Sequence, residues 1–160
     1  PIAPVALATA GGTLSPRGPV IDDVPVERVV DGDTIKVLVD GRTVTVRLIG
    51  INTPETVKPS APVECFGPEA SDFAKSTLDG TRVTLELDPS QGEKDRYGRT
   101  LAYVWRELPD GTLALFNLEA VEQGFAEERQ YGSVPYAWRD VLRPAAKTAR
   151  DARLGLWGAC

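Results

Sequence analysis

Asp33, Arg47, Asn52, Thr53, Glu55 and Arg99 are the residues here whose types suit chemistry at an anionic centre. Asp33 follows a glycine in Asp31-Gly32-Asp33, and glycine lets a tight turn bring a carboxylate to a strand mouth. Arg47 lies inside the apolar run TVRLIGI, where a charge is costly without a partner. Asn52 and Thr53 close that run. Pro54 holds Thr53 extended, so Glu55 emerges from a rigid turn. Arg99 and Tyr97 flank Gly98 just ahead of the run TLAYVW. Taken singly, each has an ordinary reading: a hairpin turn, a rim ion pair, a solvated loop carboxylate, a surface pair. Taken together they match the demands of phosphodiester hydrolysis. A hard cation on Asp33 would neutralise a phosphate oxygen. Glu55 would orient and deprotonate a water. Arg47 and Arg99 would hold the charge that builds on five-coordinate phosphorus, since the planar guanidinium fork suits bidentate phosphate contact. Tyr97 would stack on a base or sugar.

The composition narrows the alternatives. With no histidine, a histidine general base and a His-ligated zinc are excluded, and two cysteines exclude a Cys-rich zinc site. Acid–base work falls to carboxylates, and a metal must be oxygen-bound: calcium, magnesium or manganese. The 18 Lys and Arg against 23 Asp and Glu give a net charge of -5. A chain that coats nucleic acid is usually basic, so a polyanion must be met locally here. No apolar run of about 18 residues exists, so no membrane is expected among the partners.

The elements that must position these residues follow from periodicity. Residues 1–23 read as an N-terminal tail or linker, and residues 24–160 as one domain. From Val24, PVERVVDGDTIKVLVDGRTVTVRLIGI reads as three strands with Asp-Gly turns. Gly67 to Leu78 reads as a helix with Pro68 in its first turn and Ala70, Phe73, Ala74 and Leu78 on one face. RVTLEL and TLAYVW are two more strands, and LALFNLEAVEQG is a short helix closed by Gly124. A final helix runs from about Asp140 to Arg153, with Pro144 in its first turn and Leu142, Ala145, Ala149, Ala152 and Leu156 as its buried stripe. Its basic stripe of Arg139, Arg143, Lys147, Arg150 and Arg153 reads as a solvated face. The expected class is α+β, mainly β: a five-stranded OB-type barrel with three packed helices.

VVDGDTIKV, RLIGINTPET, ECFGPEASDF, DRYGRTLAYVW and the closing GLWGAC, in that order, closely resemble the staphylococcal nuclease (thermonuclease) family. The resemblance runs from about Val24 to Trp157. It implies the OB barrel, and a calcium-dependent phosphodiesterase acting on DNA and RNA to leave 3′-phosphate ends. It implies Asp33 as metal ligand, the Thr53 carbonyl as a second, and Asn52 at a third metal position. Arg47 and Arg99 match the catalytic arginines, Glu55 the proposed general base, and Arg96 and Tyr97 the nucleotide pocket. In GFAEERQYGSVPY, where the family places aromatics that stack on substrate, Tyr131 and Tyr136 are available; Tyr131 is the candidate, and helix–loop packing is its ordinary reading. Asn52 stands where the best-known member has aspartate, so weaker calcium binding or a different preferred metal is expected. The rival reading is a catalytically inactive nucleic-acid-binding module on the same barrel.

Cys65 and Cys160 are expected to form a disulfide in a secreted protein; the alternative is two free thiols in the cytosol. The chain lacks methionine even at position 1, and Ala8-Thr9-Ala10 fits a signal-cleavage pattern or an apolar linker. A secreted monomer is expected, with nucleic acid as its substrate.

Overall fold

Valine, isoleucine and threonine crowd the first half of the chain, and such residues pack well on a pleated surface. The computed structural model describes residues 14–56 and 64–160, so the signal-like segment lies outside the described residues. Its elements in order are β1 (Val20–Asp31), β2 (Thr34–Val39), β3 (Arg42–Leu48), β4 (Ile51–Asn52) and α1 (Gly67–Leu78). There follow β5 (Arg82–Glu86), β6 (Thr100–Glu107), β7 (Leu113–Leu115), α2 (Phe116–Glu122), β8 (Glu127–Glu128), α3 (Arg139–Asp151) and α4 (Leu156–Ala159).

β1, β2 and β3 form an antiparallel meander, β5 pairs with β1, and β6 pairs with β5. A parallel pairing of β3 with β6 closes these five strands into a barrel, as expected. Closure leaves no open edge between them. Val26, Ile35, Val37, Val46, Leu48, Leu85 and Val104 fill the interior. α1 covers the barrel with Ala70, Ala74 and Leu78, and its half-buried Phe73 stacks on Phe116 and Phe125.

Several boundaries differ from the sequence reading. β1 starts at Val20, not Val24, because a register shift between Ile21 and Val24, with Asp23 at φ 56°, breaks the alternation that marks a strand. Leu113–Leu115 is a short strand beside β6 rather than a first helical turn. α3 buries Leu142, Ala146 and Ala149; Ala152 is exposed, and Leu156 is buried from α4. The alternative i, i+4, i+7 set won because Ala145 and Ala146 are equally apolar, and only packing chooses between them. Pro144 sits inside α3 rather than in its first turn, which removes one intrahelical bond.

One charge is buried beside the core. Glu86 is 1% exposed. Its Oε2 accepts the backbone N–H groups of Arg17 and Gly18 at 2.9 and 2.8 Å. Its Oε1 accepts the indole N–H groups of Trp105 and Trp138 at 2.9 and 3.0 Å. The segment read as a tail is therefore fastened to the barrel at Arg17 and Gly18.

Cys65, just before α1, is bonded to Cys160, with Cα atoms 6.0 Å apart and a sequence separation of 95. Closing a loop of that length restricts the unfolded chain, so reduction is expected to lower stability by about 2–4 kcal/mol. Urea midpoints with and without reductant measure this; equal midpoints would count against the bridge.

Candidate active site

The hairpin between β1 and β2 has only Gly32 and Asp33 at its tip, with Asp31 opposite Thr34. Any side chain at position 32 would run into Thr53, whose atoms lie 2.7–2.9 Å from where a Cβ would stand. Glycine is needed so that the tip can press against the chain after β4. Contact there lets the Thr53 N–H donate to Asp33 Oδ2 at 2.9 Å, while the Thr34 hydroxyl donates to Oδ1 at 2.9 Å.

Arg47 stands next to the end of β3, opposite Thr34 on one side and Leu101 on the other. Its guanidinium is buried and spoken for. Nη1 donates to the Leu48 and Ile51 carbonyls at 2.8 and 3.0 Å. Nη2 lies 3.3 Å from Asp33 Oδ2 and donates to the Tyr131 hydroxyl at 2.7 Å and to Asn52 Oδ1 at 3.4 Å. The Tyr131 hydroxyl in turn donates to Asn52 Oδ1 at 3.2 Å. The buried charge that looked costly in the sequence thus has an ion-pair partner and acceptors on both terminal nitrogens.

Two carboxylates share this corner. Burial works against charge on Asp33, but Arg47 and the donors around it hold its carboxyl below the usual range. Asp31 beside it is pushed up to about 7, first by burial and then by the Asp33 charge. Glu55 also raises Asp31, which places its charge near the pair. The backbone of Glu55 is clamped: its N–H donates to Glu64 Oε1 at 2.7 Å, and its carbonyl accepts the Glu64 N–H at 2.9 Å.

Arg99 enters from the turn before β6. Gly98 takes φ 83°, a left-handed value that glycine adopts freely. Asp95 Oδ1 accepts the backbone N–H groups of Tyr97 and Arg99, both at 2.9 Å, and its Oδ2 accepts Arg99 Nε at 2.7 Å. Burial would raise Asp95, yet these donors outweigh it and keep the carboxyl below the ordinary range. Nη1 and Nη2 of Arg99 have no acceptor among the described residues. Tyr97 is 68% exposed, flanked by the guanidinium groups of Arg96 and Arg99 at 5.0 and 5.3 Å from its ring.

One cleft of about 1040 Å³ gathers all nine: Asp33, Arg47, Asn52, Thr53, Glu55, Arg96, Tyr97, Arg99 and Tyr131 line it. Four further lining residues escaped the sequence reading: Asp31, Gln91, Asp95 and Arg129. Asp31 and Asp95 lie inside the motifs already singled out, but their turn-forming role masked them. Arg129, whose guanidinium lies 5.7 Å from the Tyr131 ring, carries no local signal at all.

The family model described as "Staphylococcal nuclease homologue" matches residues 45–159. The chain belongs to the staphylococcal nuclease family. It is an enzyme of the nuclease class. It is 44% identical over 132 residues to the thermonuclease of Staphylococcus hyicus, covering 82% of this chain and 73% of that protein. With the thermonuclease of Staphylococcus intermedius it shares 45% over 132 residues, covering 82% and 74%. With endonuclease YncB of Bacillus subtilis (strain 168) it shares 32% over 148 residues, covering 92% and 67%. The OB-type barrel with its packed helices is the fold expected of this family. Tyr131, in the segment where the resemblance led us to expect a stacking aromatic, is held on Arg47 and Asn52 by its hydroxyl.

Proposed function

We propose that this staphylococcal nuclease family member is a secreted, calcium-dependent enzyme. It hydrolyses phosphodiester bonds of DNA and RNA and leaves 3′-phosphate ends. The observation that carries this reading is the convergence of Arg47, Arg99 and the carboxylates of Asp31, Asp33, Glu55 and Asp95 on one cleft. Arg99 offers two nitrogens to an incoming phosphate, and Arg47, fixed by the Leu48 and Ile51 carbonyls, would give Nη2 to it in exchange for its long 3.4 Å contact with Asn52. Glu55, clamped through its backbone, receives the proton of the attacking water. Tyr97 and Tyr131 give a base or sugar an aromatic face, with Arg96 beside the first.

The donors suit a hard cation. Asp33, the Asn52 amide and the Thr53 carbonyl are all oxygen ligands, as calcium prefers. The buried Asp31–Asp33 pair, one member of which is pushed up to about 7, is short of positive charge. Among the described residues no cluster of three or more acidic, histidine or cysteine side chains surrounds a point, so backbone and amide oxygens must complete the set. A cation bound there would neutralise a phosphate oxygen.

Plasmid and RNA digestion in calcium, repeated in EDTA, tests the reading. Cleavage that disappears in EDTA is expected. Binding without cleavage in any divalent metal would leave the inactive-module reading standing instead. Asn52→Asp adds a formal charge at a metal position and is expected to tighten calcium binding by at least about tenfold, since even at the dielectric of water a unit charge about 4 Å away contributes about 1 kcal/mol per ion charge and calcium carries two. Isothermal titration reads this directly, and unchanged affinity would remove Asn52 from the ligand set.

A further inference from the structure

The basic stripe on α3 is not one uniform solvated face. Lys147 pairs with Asp151 at 2.6 Å, and the Arg150 guanidinium lies 5.8 Å from the Trp157 ring. Arg139 and Arg143, one turn apart, look instead into a shallow groove of about 630 Å³ with Arg17 on its far wall. Tyr136 lines both this groove and the active-site cleft, so the two lie side by side.

We propose that this groove holds flanking phosphates of the same polynucleotide whose scissile bond lies in the cleft. The proposal rests on the reading of the cleft as a phosphodiester site. Arg139 carries it furthest. Its Nε is buried and has no acceptor among the described residues, and no carboxylate there pairs with it. That nitrogen is shut off from solvent, so a phosphate would be met by the terminal nitrogens of Arg139, which also have no acceptor among the described residues. Arg143 is held only loosely: its Nε is 3.4 Å from Glu128 Oε1, and that carboxylate already accepts the Tyr136 hydroxyl at 2.7 Å on its other oxygen. Arg17 is different. Both its terminal nitrogens are spent on Asp140, at 2.7 and 3.3 Å, and its guanidinium lies 3.8 Å from the Trp138 ring. It therefore builds the wall and neutralises the one acidic side chain on the rim. Pro135 and Pro144 supply an apolar floor for a sugar or base. A protein of net charge -5 that keeps Arg139 unpaired and Arg143 loosely paired beside its active cleft has a local track for a polyanion.

Fluorescence anisotropy in EDTA, where no cleavage occurs, separates the groove from the cleft. A labelled thymidine dinucleotide reports the cleft alone, and a dodecathymidylate reports both. In the double variant Arg139→Ala, Arg143→Ala, dodecathymidylate affinity is expected to fall by about tenfold. The slope of log Kd against log salt should flatten by about 1.4, the share of two phosphates on a single strand. Dinucleotide affinity should not change. An equal loss on both lengths, or an unchanged dodecathymidylate affinity and slope, would overturn the proposal. Should the double variant fold poorly, Arg143→Ala alone alters an exposed side chain and must show half the slope change. If wild type binds the long strand through these arginines but cleaves nothing in calcium, hydrolysis fails and the groove survives. If it cleaves normally with length-independent affinity, the groove fails and hydrolysis survives.

Discussion

Arg99→Gln is expected to lower kcat for phosphodiester cleavage by about a thousandfold while leaving the fold and Tm in place. The magnitude is that of removing one preorganised donor to a developing negative charge. The geometry explains why the loss falls on catalysis. Arg99 Nε is tied to Asp95 at 2.7 Å, which aims the terminal nitrogens, and those have no protein acceptor among the described residues. Stability has little at stake, because a part-exposed ion pair contributes only about 0–1 kcal/mol. Arg47 is the contrasting case. Its nitrogens bond two backbone carbonyls, Asp33, Asn52 and Tyr131, so its removal would damage the corner structurally as well as chemically. Arg99 is thus the cleaner probe. Steady-state kinetics with a thermal melt on the same sample decides: a wild-type kcat, or a loss matched by a collapsed melt, would remove Arg99 from the charge-stabilising role.

Glu86→Ala is expected to destabilise the protein by about 4 kcal/mol, through unpaired donors rather than lost apolar area. Two backbone N–H groups and two indole N–H groups converge on this one carboxylate. Each donor left buried without an acceptor costs roughly 1–3 kcal/mol, and water entering the space recovers part of it. A total of about 4 kcal/mol is a large share of the roughly 5–15 kcal/mol that holds a domain together. Glu86→Gln should be nearly as damaging. An amide offers one oxygen, so its NH₂ would face two N–H donors that need an acceptor. Because Glu86 does not line the cleft, activity per folded molecule should be unchanged. Urea titration monitored by tryptophan fluorescence reports the change at Trp105 and Trp138 themselves. A loss below about 1.5 kcal/mol would mean that water replaces the carboxylate at little cost.

Much of this molecule is written locally. Alternating Val, Ile and Thr with Asp-Gly turns announce β1 to β3, and α1 lies at Gly67–Leu78 as its apolar spacing indicates. DGDT, RLIGINTPET and DRYGR each hold a tight turn that aims a polar side chain, so the residue types alone point to the chemistry proposed above. Local signals also mislead where two choices are equally apolar, as with Ala145 and Ala146. They are silent at Glu86, which is one charge in a strand until the residues at 17, 18, 105 and 138 surround it.

The sequence by itself determined the five barrel strands, the main helices and the candidate groups at their ends, because each depends on residues only a few positions apart. Tertiary structure decided that the cast meets. The parallel pairing of β3 with β6 sets Arg47 opposite Leu101, and so brings the turn carrying Arg99 to the same mouth as Asp33. It also decided which helix arginines keep unspent charge, since a pairing partner for Arg143, Glu128, arrives from another element. Such contacts join residues whose separation in the chain carries no periodic trace, and only closing the barrel makes them neighbours.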